Sequence, residues 1–121
     1  MATEERETAG LIGSDKVEGT NVYGATGEKI GSIERVMIEK RNGHVAYAVL
    51  SFGGFLGIGN DYYPIPWASL SYDTSLGGYR TTITEQQLQG APKYAGNSWD
   101  WDDRERGRKV YDYYGTPWIG Y

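Results

Sequence analysis

The sequence predicts an all-β fold of short antiparallel strands and tight turns, with a short helical, aromatic-rich extension at its C-terminal end. Three observations carry this. Glycine accounts for 18 of 121 residues and tyrosine for 11, a mixture that suits strands and turns better than a helix bundle. Asn42-Gly43 stands between two strand-like runs, the strongest short-range hairpin signal. Residues 93–121 then change character, holding 8 of the chain's 17 aromatics among charged residues. The length allows one domain, and 39% hydrophobic with 23% charged residues is enough to build a core.

Residues 1–9 are polar and acidic and read as a frayed arm. The folded domain is expected over 10–92. Its first part, "DKVEGTNVYGATGEKIG", gives one short strand near Val17 and a turn at Gly24 to Gly27. "IGSIERVMIEK" and "HVAYAVLSF" follow as the two arms of a hairpin. A two-residue type I′ turn at Asn42 and Gly43 needs positive φ at both positions, which Asn and Gly accept. That turn sets the register. Ile38 opposes Tyr47, Val36 opposes Val49 and Glu34 opposes Ser51. Met37 is placed against Ala48, Arg35 against Leu50 and Ile33 against Phe52. Val36, Ile38, Tyr47 and Val49 then share one apolar face and are expected in the core. The other face carries Arg35 and Glu39, and is either partly solvated or covered by something else.

"GGFLGIGNDYYPIPW" comes next, with Gly53, Gly54, Gly57 and Gly59 inside seven positions. A phosphate loop needs Gly-x-x-x-x-Gly-Lys-Ser/Thr leading into a helix. Here Asn60 and Asp61 follow Gly59, Asp61 would repel a phosphate, and two prolines prevent an adjoining helix. Gly57-x-Gly59 leads to Tyr62, so the dinucleotide pattern is absent too. The glycines therefore read as a wide bend between strands. "YYPIPWASLSYD" reads as an edge-like strand, since each proline removes a ladder donor. "SLGGYRTTIT" gives a second hairpin turn and a strand. "TEQQL" opens a short helix with Thr84 as cap and Gln87 three residues on, ended by Gly90 and Pro92. In the extension, Asp102 with Arg106 and Glu105 with Lys109 are spaced i,i+4 in the acid-first order. They predict a helix from about Trp99 to Tyr113, weakened by Gly107 and stopped by Gly115 with Pro117 beyond.

Composition excludes several function classes. The net charge is −4 and the pI about 4.9, against the basic surface that nucleic acid requires. "RKVYDYYG" could stack on bases, but Asp102, Asp103 and Asp112 oppose it. With no cysteine there are no disulfides, thiolate metal sites or cysteine nucleophiles. His44 is the only histidine. It adjoins a turn and lacks a Gly-x-Ser-x-Gly elbow, so no catalytic triad is expected, and zinc is disfavoured. "DWDD", Asp100 to Asp103, lacks the spacing of a calcium loop and reads as a solvated helix start. Among 16 acidic residues nothing singles out a glycosidase pair. The N-terminal stretch is not a signal peptide. The longest apolar run, "VAYAVL", falls far short of the roughly 20 residues of a membrane-spanning helix. A soluble, cytoplasmic protein without cofactor is expected.

The elements "GLIGSDKVEG", "GATGEKIGSIERVMIEKRNGHVAYAVLSFGGFLGIG", "YPIPWASL" and "TEQQLQGAPKY" together resemble the PRC-barrel domain. That domain forms the cytoplasmic part of the photosynthetic reaction-centre H subunit and the C-terminal half of RimM-type ribosome maturation factors. It also occurs as small stand-alone bacterial proteins. The resemblance covers roughly residues 10–93 and rests on G-x-x-I-G-x-I, the Asn-Gly hairpin, "GGFLGIG" and the following Pro-x-Pro in combination. It implies a small, strongly bent antiparallel β-barrel. Lacking the H subunit's membrane helix and RimM's preceding domain, this chain resembles the stand-alone class.

A non-catalytic interaction or adaptor module is expected, contacting a protein partner through Trp99, Trp101, Tyr111, Tyr113, Tyr114, Trp118 and Tyr121. So many aromatics must cover something. They either cap the open face of the barrel within one chain or join two chains, and the expectation leans to a homo-oligomer. Alternatives are a soluble H-subunit relative docking on a membrane or electron-transfer complex, and a small-molecule-binding protein or enzyme with an unidentified pocket. RNA-maturation support ranks below these, because the acidic charge is adverse.

Overall fold

The computed structural model describes residues 7–52, 61–94 and 99–119. In chain order these form α1 (Ser14–Val17), β1 (Asn21–Tyr23), β2 (Lys29–Ile38), β3 (Val45–Phe52), β4 (Asp61–Pro66), a 3₁₀ turn (Trp67–Ser69), β5 (Ser71–Asp73), β6 (Gly78–Arg80), α2 (Glu85–Gln89) and α3 (Arg104–Tyr113). Val17 thus ends a single helical turn, and the first strand starts four residues later than Val17. The capping box stands as read: Thr84 Oγ1 accepts from Gln87 N–H at 3.0 Å and Gln87 Oε1 accepts from Thr84 N–H at 2.8 Å. It starts α2 where the chain leaves the sheet and points Leu88 into the core.

The strands make one sheet in the order β4-β3-β2-β1-β6-β5. The pairing is not wholly antiparallel, because β1 and β6 run parallel, with Val22 beside Tyr79 and Tyr23 beside Arg80. The cause lies in "YYPIPWASLSYD". The 3₁₀ turn after Pro66 divides it into β4 and β5, which stand at opposite edges of the sheet. Neither is reversed by a hairpin, so β5 keeps the direction of β4, and β6 then returns alongside β1. No ladder joins β4 to β5 among the described residues. Five residues reach at most about 18 Å, whereas the outer strands of a flat six-stranded sheet lie about 24 Å apart. The sheet therefore curls, with its ladder left open. Gly78 sits where β6 meets β1, and a Cβ there would lie 2.6 Å from the Asn21 carbonyl oxygen.

The hairpin register differs from the expected one. Val36 faces Ala48, Met37 faces Tyr47, Arg35 faces Val49 and Ile33 faces Leu50. Two causes combine. The turn is longer than two residues: Glu39 N–H donates to His44 O at 2.8 Å, Gly43 N–H donates to Glu39 O at 2.9 Å, and Gly43 takes φ +76°. Asn42 contributes its side chain, Oδ1 accepting from His44 N–H at 2.8 Å. Register shifts then fall between Ile33 and Arg35 and between Met37 and Ile38. They leave Glu34 extra in β2 and Ala46 extra in β3, two bulges that bend the strands. A one-residue slip exchanges the faces. Val36 accordingly packs on the inner core, Tyr47 belongs to the outer layer, and Ile38 is 50% exposed at the hairpin tip rather than buried.

The inner core gathers Val22, Ile30, Ile33, Ala48, Leu50, Tyr63, Ile65 and Tyr79 from the strands, closed by Val17 of α1 and by Ile83, Leu88 and Ala91 around α2. A second cluster lies against the other face of β3, made by Ala46 and Tyr47 with Val110 and Tyr111 of α3. Residues Ala46 to Leu50 are consequently all buried.

Candidate interaction surface

The outer layer is built by the segment after α2. Tyr94 first extends the sheet edge: Tyr62 N–H donates to Tyr94 O at 2.8 Å and Tyr94 N–H donates to Tyr62 O at 2.9 Å. Asp103 caps the start of helix α3, its Oδ1 accepting from Arg106 N–H at 3.1 Å. The helix is shorter than expected, starting at Arg104 instead of Trp99, because the N-cap role falls to Asp103. The acid paired with Arg106 is also Asp103, at 4.0 Å, and not Asp102. Gly107, Val110 and Tyr111 are the buried residues of α3. With Tyr114 they make an i, i+3, i+4, i+7 stripe that faces the sheet. Gly115 follows at φ +66° and ends the helix.

Aromatic rings run continuously across this face. Tyr62 meets Tyr94 at 5.5 Å between centroids, Tyr94 meets Trp99 at 5.7 Å, and Trp99 meets Trp101 at 5.9 Å. Trp101 lies 5.4 Å from Tyr47, Tyr47 lies 5.5 Å from Tyr111, and Tyr111 lies 5.3 Å from Trp118. Two hydroxyls fasten α3. Tyr111 Oη donates to Ala46 O at 2.6 Å in a buried bond, reaching the carbonyl of the bulged residue. Tyr113 Oη donates to Gln87 O at the end of α2. Tyr114 packs on both clusters. Its hydroxyl is buried without a hydrogen-bond partner among the described residues, and burial pushes its pKa well above the usual tyrosine value.

Of the seven aromatics expected to make contacts, Tyr111 is buried, Trp99, Trp101, Tyr114 and Trp118 are half-buried, and Tyr113 is 39% exposed. Tyr121 lies outside the described residues, as do Gly53, Gly54, Gly57 and Gly59. The strands on either side of that glycine segment are antiparallel neighbours, Phe52 standing opposite Asp61. Asn42 and Gly43 form the hairpin turn, and His44 is exposed beside it. The packing between tail and sheet takes place within one chain. Residue reading missed Tyr47, Tyr62 and the Ala46 carbonyl as the receiving side. The signal was present: "VAYAVL" does not alternate, and an unalternating strand is covered on both faces.

Beside this layer Pro92, Lys93, Tyr94, Trp99, Arg106 and Lys109 line an open cleft of about 420 Å³. The Arg106 guanidinium lies 5.0 Å over the Trp99 ring. Lys93 Nζ bonds Asp61 Oδ2 at 3.1 Å, which raises the lysine pKa. The other shifted groups have structural causes. Burial raises Tyr63, Tyr79 and Tyr94. Hydrogen bonds within turns lower Glu28, through Thr26, and Asp73, through Ser75.

No helix among the described residues is long and apolar enough to cross a membrane. No curated protein matches the chain. The sequence model of one family does, over residues 10–88, spanning the inner core strands and α2 up to Leu88. On that match the chain belongs to the PRC-barrel domain family.

Proposed function

We propose that this protein is a non-catalytic interaction module, a PRC barrel whose strongly bent sheet serves as a scaffold and whose aromatic C-terminal layer supplies the contact surface. Its first partner is a second copy of the chain. The observation that carries this reading is the state of Trp99, Trp101 and Trp118. They stack in a continuous ring network, yet each remains only half-buried. Trp, Tyr and Arg are the residues that anchor protein contacts, and Arg106 is already held over Trp99. Ile119, 46% exposed, adds apolar surface next to Trp118 in the chain. Charge supports self-recognition. Helix α3 carries four basic residues against two acidic ones, on a chain whose net charge is −4, so it complements the rest of another copy.

Sedimentation equilibrium tests this. The intact protein should dimerise reversibly at tens of micromolar. Ile119→Lys, at an exposed position outside both cores, should weaken dimerisation at least ~10-fold with an unchanged melting temperature. A protein still monomeric at about 500 μM overturns the reading. An unaltered association constant for the variant removes the aromatic layer as the contact surface.

A further inference from the structure

The cleft beside Trp99 shares Trp99 and Arg106 with the proposed contact surface, but its chemistry also suits a small ligand. On an acidic protein it collects three cations, Lys93, Arg106 and Lys109, around the rings of Tyr94 and Trp99. Arg106 and Lys109 lie three residues apart on α3 and so project on one side of it. Two carboxylates contact these cations among the described residues. Asp61 holds Lys93 at 3.1 Å, and Asp103 stands at the far limit of contact with Arg106, 4.0 Å away. Three positive charges against two leave one in surplus. Arg106 rests over the Trp99 ring, and its guanidinium N–H donors not used by Asp103 are open to an anion. The volume of about 420 Å³ falls within the range of small-ligand sites.

We propose that this cleft binds a planar ring carrying one anionic group. The ring lies against Tyr94 and Trp99, and the anion, a carboxylate or a phosphate monoester, meets Arg106 and Lys109. Both sources share the same requirement, a flat apolar body with negative charge at one end. Ligand binding does not depend on self-association, although the two share Trp99 and Arg106: titration of the monomer reads ligand binding, and sedimentation reads the contact.

Isothermal titration of the intact protein decides it. The carboxylate arm uses 4-hydroxybenzoate against neutral 4-hydroxybenzyl alcohol. The phosphate arm uses adenosine 5′-monophosphate against adenosine. At least one anion should saturate with a dissociation constant below about 1 mM, and at least ~10-fold more tightly than its neutral counterpart. The arm that saturates identifies the source. Lys109→Gln should weaken that anion ~10-fold. Arg108→Gln removes an equal charge from an exposed position of α3 outside the cleft and should leave affinity unchanged. Absence of saturation by both anions up to about 10 mM, equal affinity for charged and neutral probes, or equal losses in the two variants would each overturn the proposal.

Discussion

Tyr114 shows how one side chain can serve packing at a polar cost. Its ring joins the inner core to the outer layer, while its hydroxyl is buried without a partner among the described residues. A buried, unpaired hydroxyl loses its water contacts with nothing in return. Tyr114→Phe should therefore leave stability unchanged or raise it in urea unfolding at pH 7. The same group sets an alkaline limit. Its folded pKa is raised by burial, so its contribution is fully present below the unfolded value of about 10 and is lost as the pH climbs above it. The variant should resist unfolding above that pH better than the parent. Ile38 gives the opposite lesson. An ideal two-residue turn places it in the core, but it is 50% exposed. Ile38→Ala should cost less than about 1 kcal/mol. Leu50→Ala, at a fully buried site, should cost roughly 2–5 kcal/mol. Comparable losses for the two would restore the register that the turn alone implied.

At the scale of elements, the start of α2 was legible from a local device, whereas that of α3 was not, because Asp100, Asp102 and Asp103 all offer a cap and Asp103 takes it. Thr84 and Gln87 marked α2 because a capping box is closed within four residues. The hairpin was legible from Asn42-Gly43, but not its register, because no turn residue marks the bulges at Glu34 and Ala46. The Ala46 bulge carries a long-range contact, its carbonyl accepting from Tyr111 Oη. Tyr111→Phe should cost roughly 1–2 kcal/mol by chemical denaturation, since it strands a buried acceptor. The β5–β6 turn holds itself through Asp73, which accepts from Ser75 N–H, Ser75 Oγ and Leu76 N–H and pairs with Arg80 at 3.1 Å. These bonds, the Ser75 hydroxyl first, depress its pKa. Its stabilisation is present above the ordinary aspartate range and fades as the pH falls through it. Asp73→Asn should lower the denaturant midpoint at pH 7, with the difference shrinking towards about pH 3.

For the whole molecule, the family and the β-rich architecture were readable from turn residues and motif order. The parallel β1–β6 pair was not, because it depends on a 3₁₀ step that carries the chain from one sheet edge to the other. Nor was the destination of the aromatic tail. Composition required that it cover something, and both its own sheet and a second chain met that requirement. The structure lays it across Ala46 and Tyr47 of β3 within the chain, leaving three tryptophans half-exposed for the contact proposed above. The central claim is that residues beyond Lys93 form the second layer of this fold and not an appended arm. Thermal unfolding of a chain ending at Lys93 tests it most directly. Removing that layer uncovers Ala46 and Tyr47 of β3, a loss of several kcal/mol of apolar burial, so the melting temperature should fall by at least ~10 °C relative to the intact protein. An unchanged melting temperature would contradict the account.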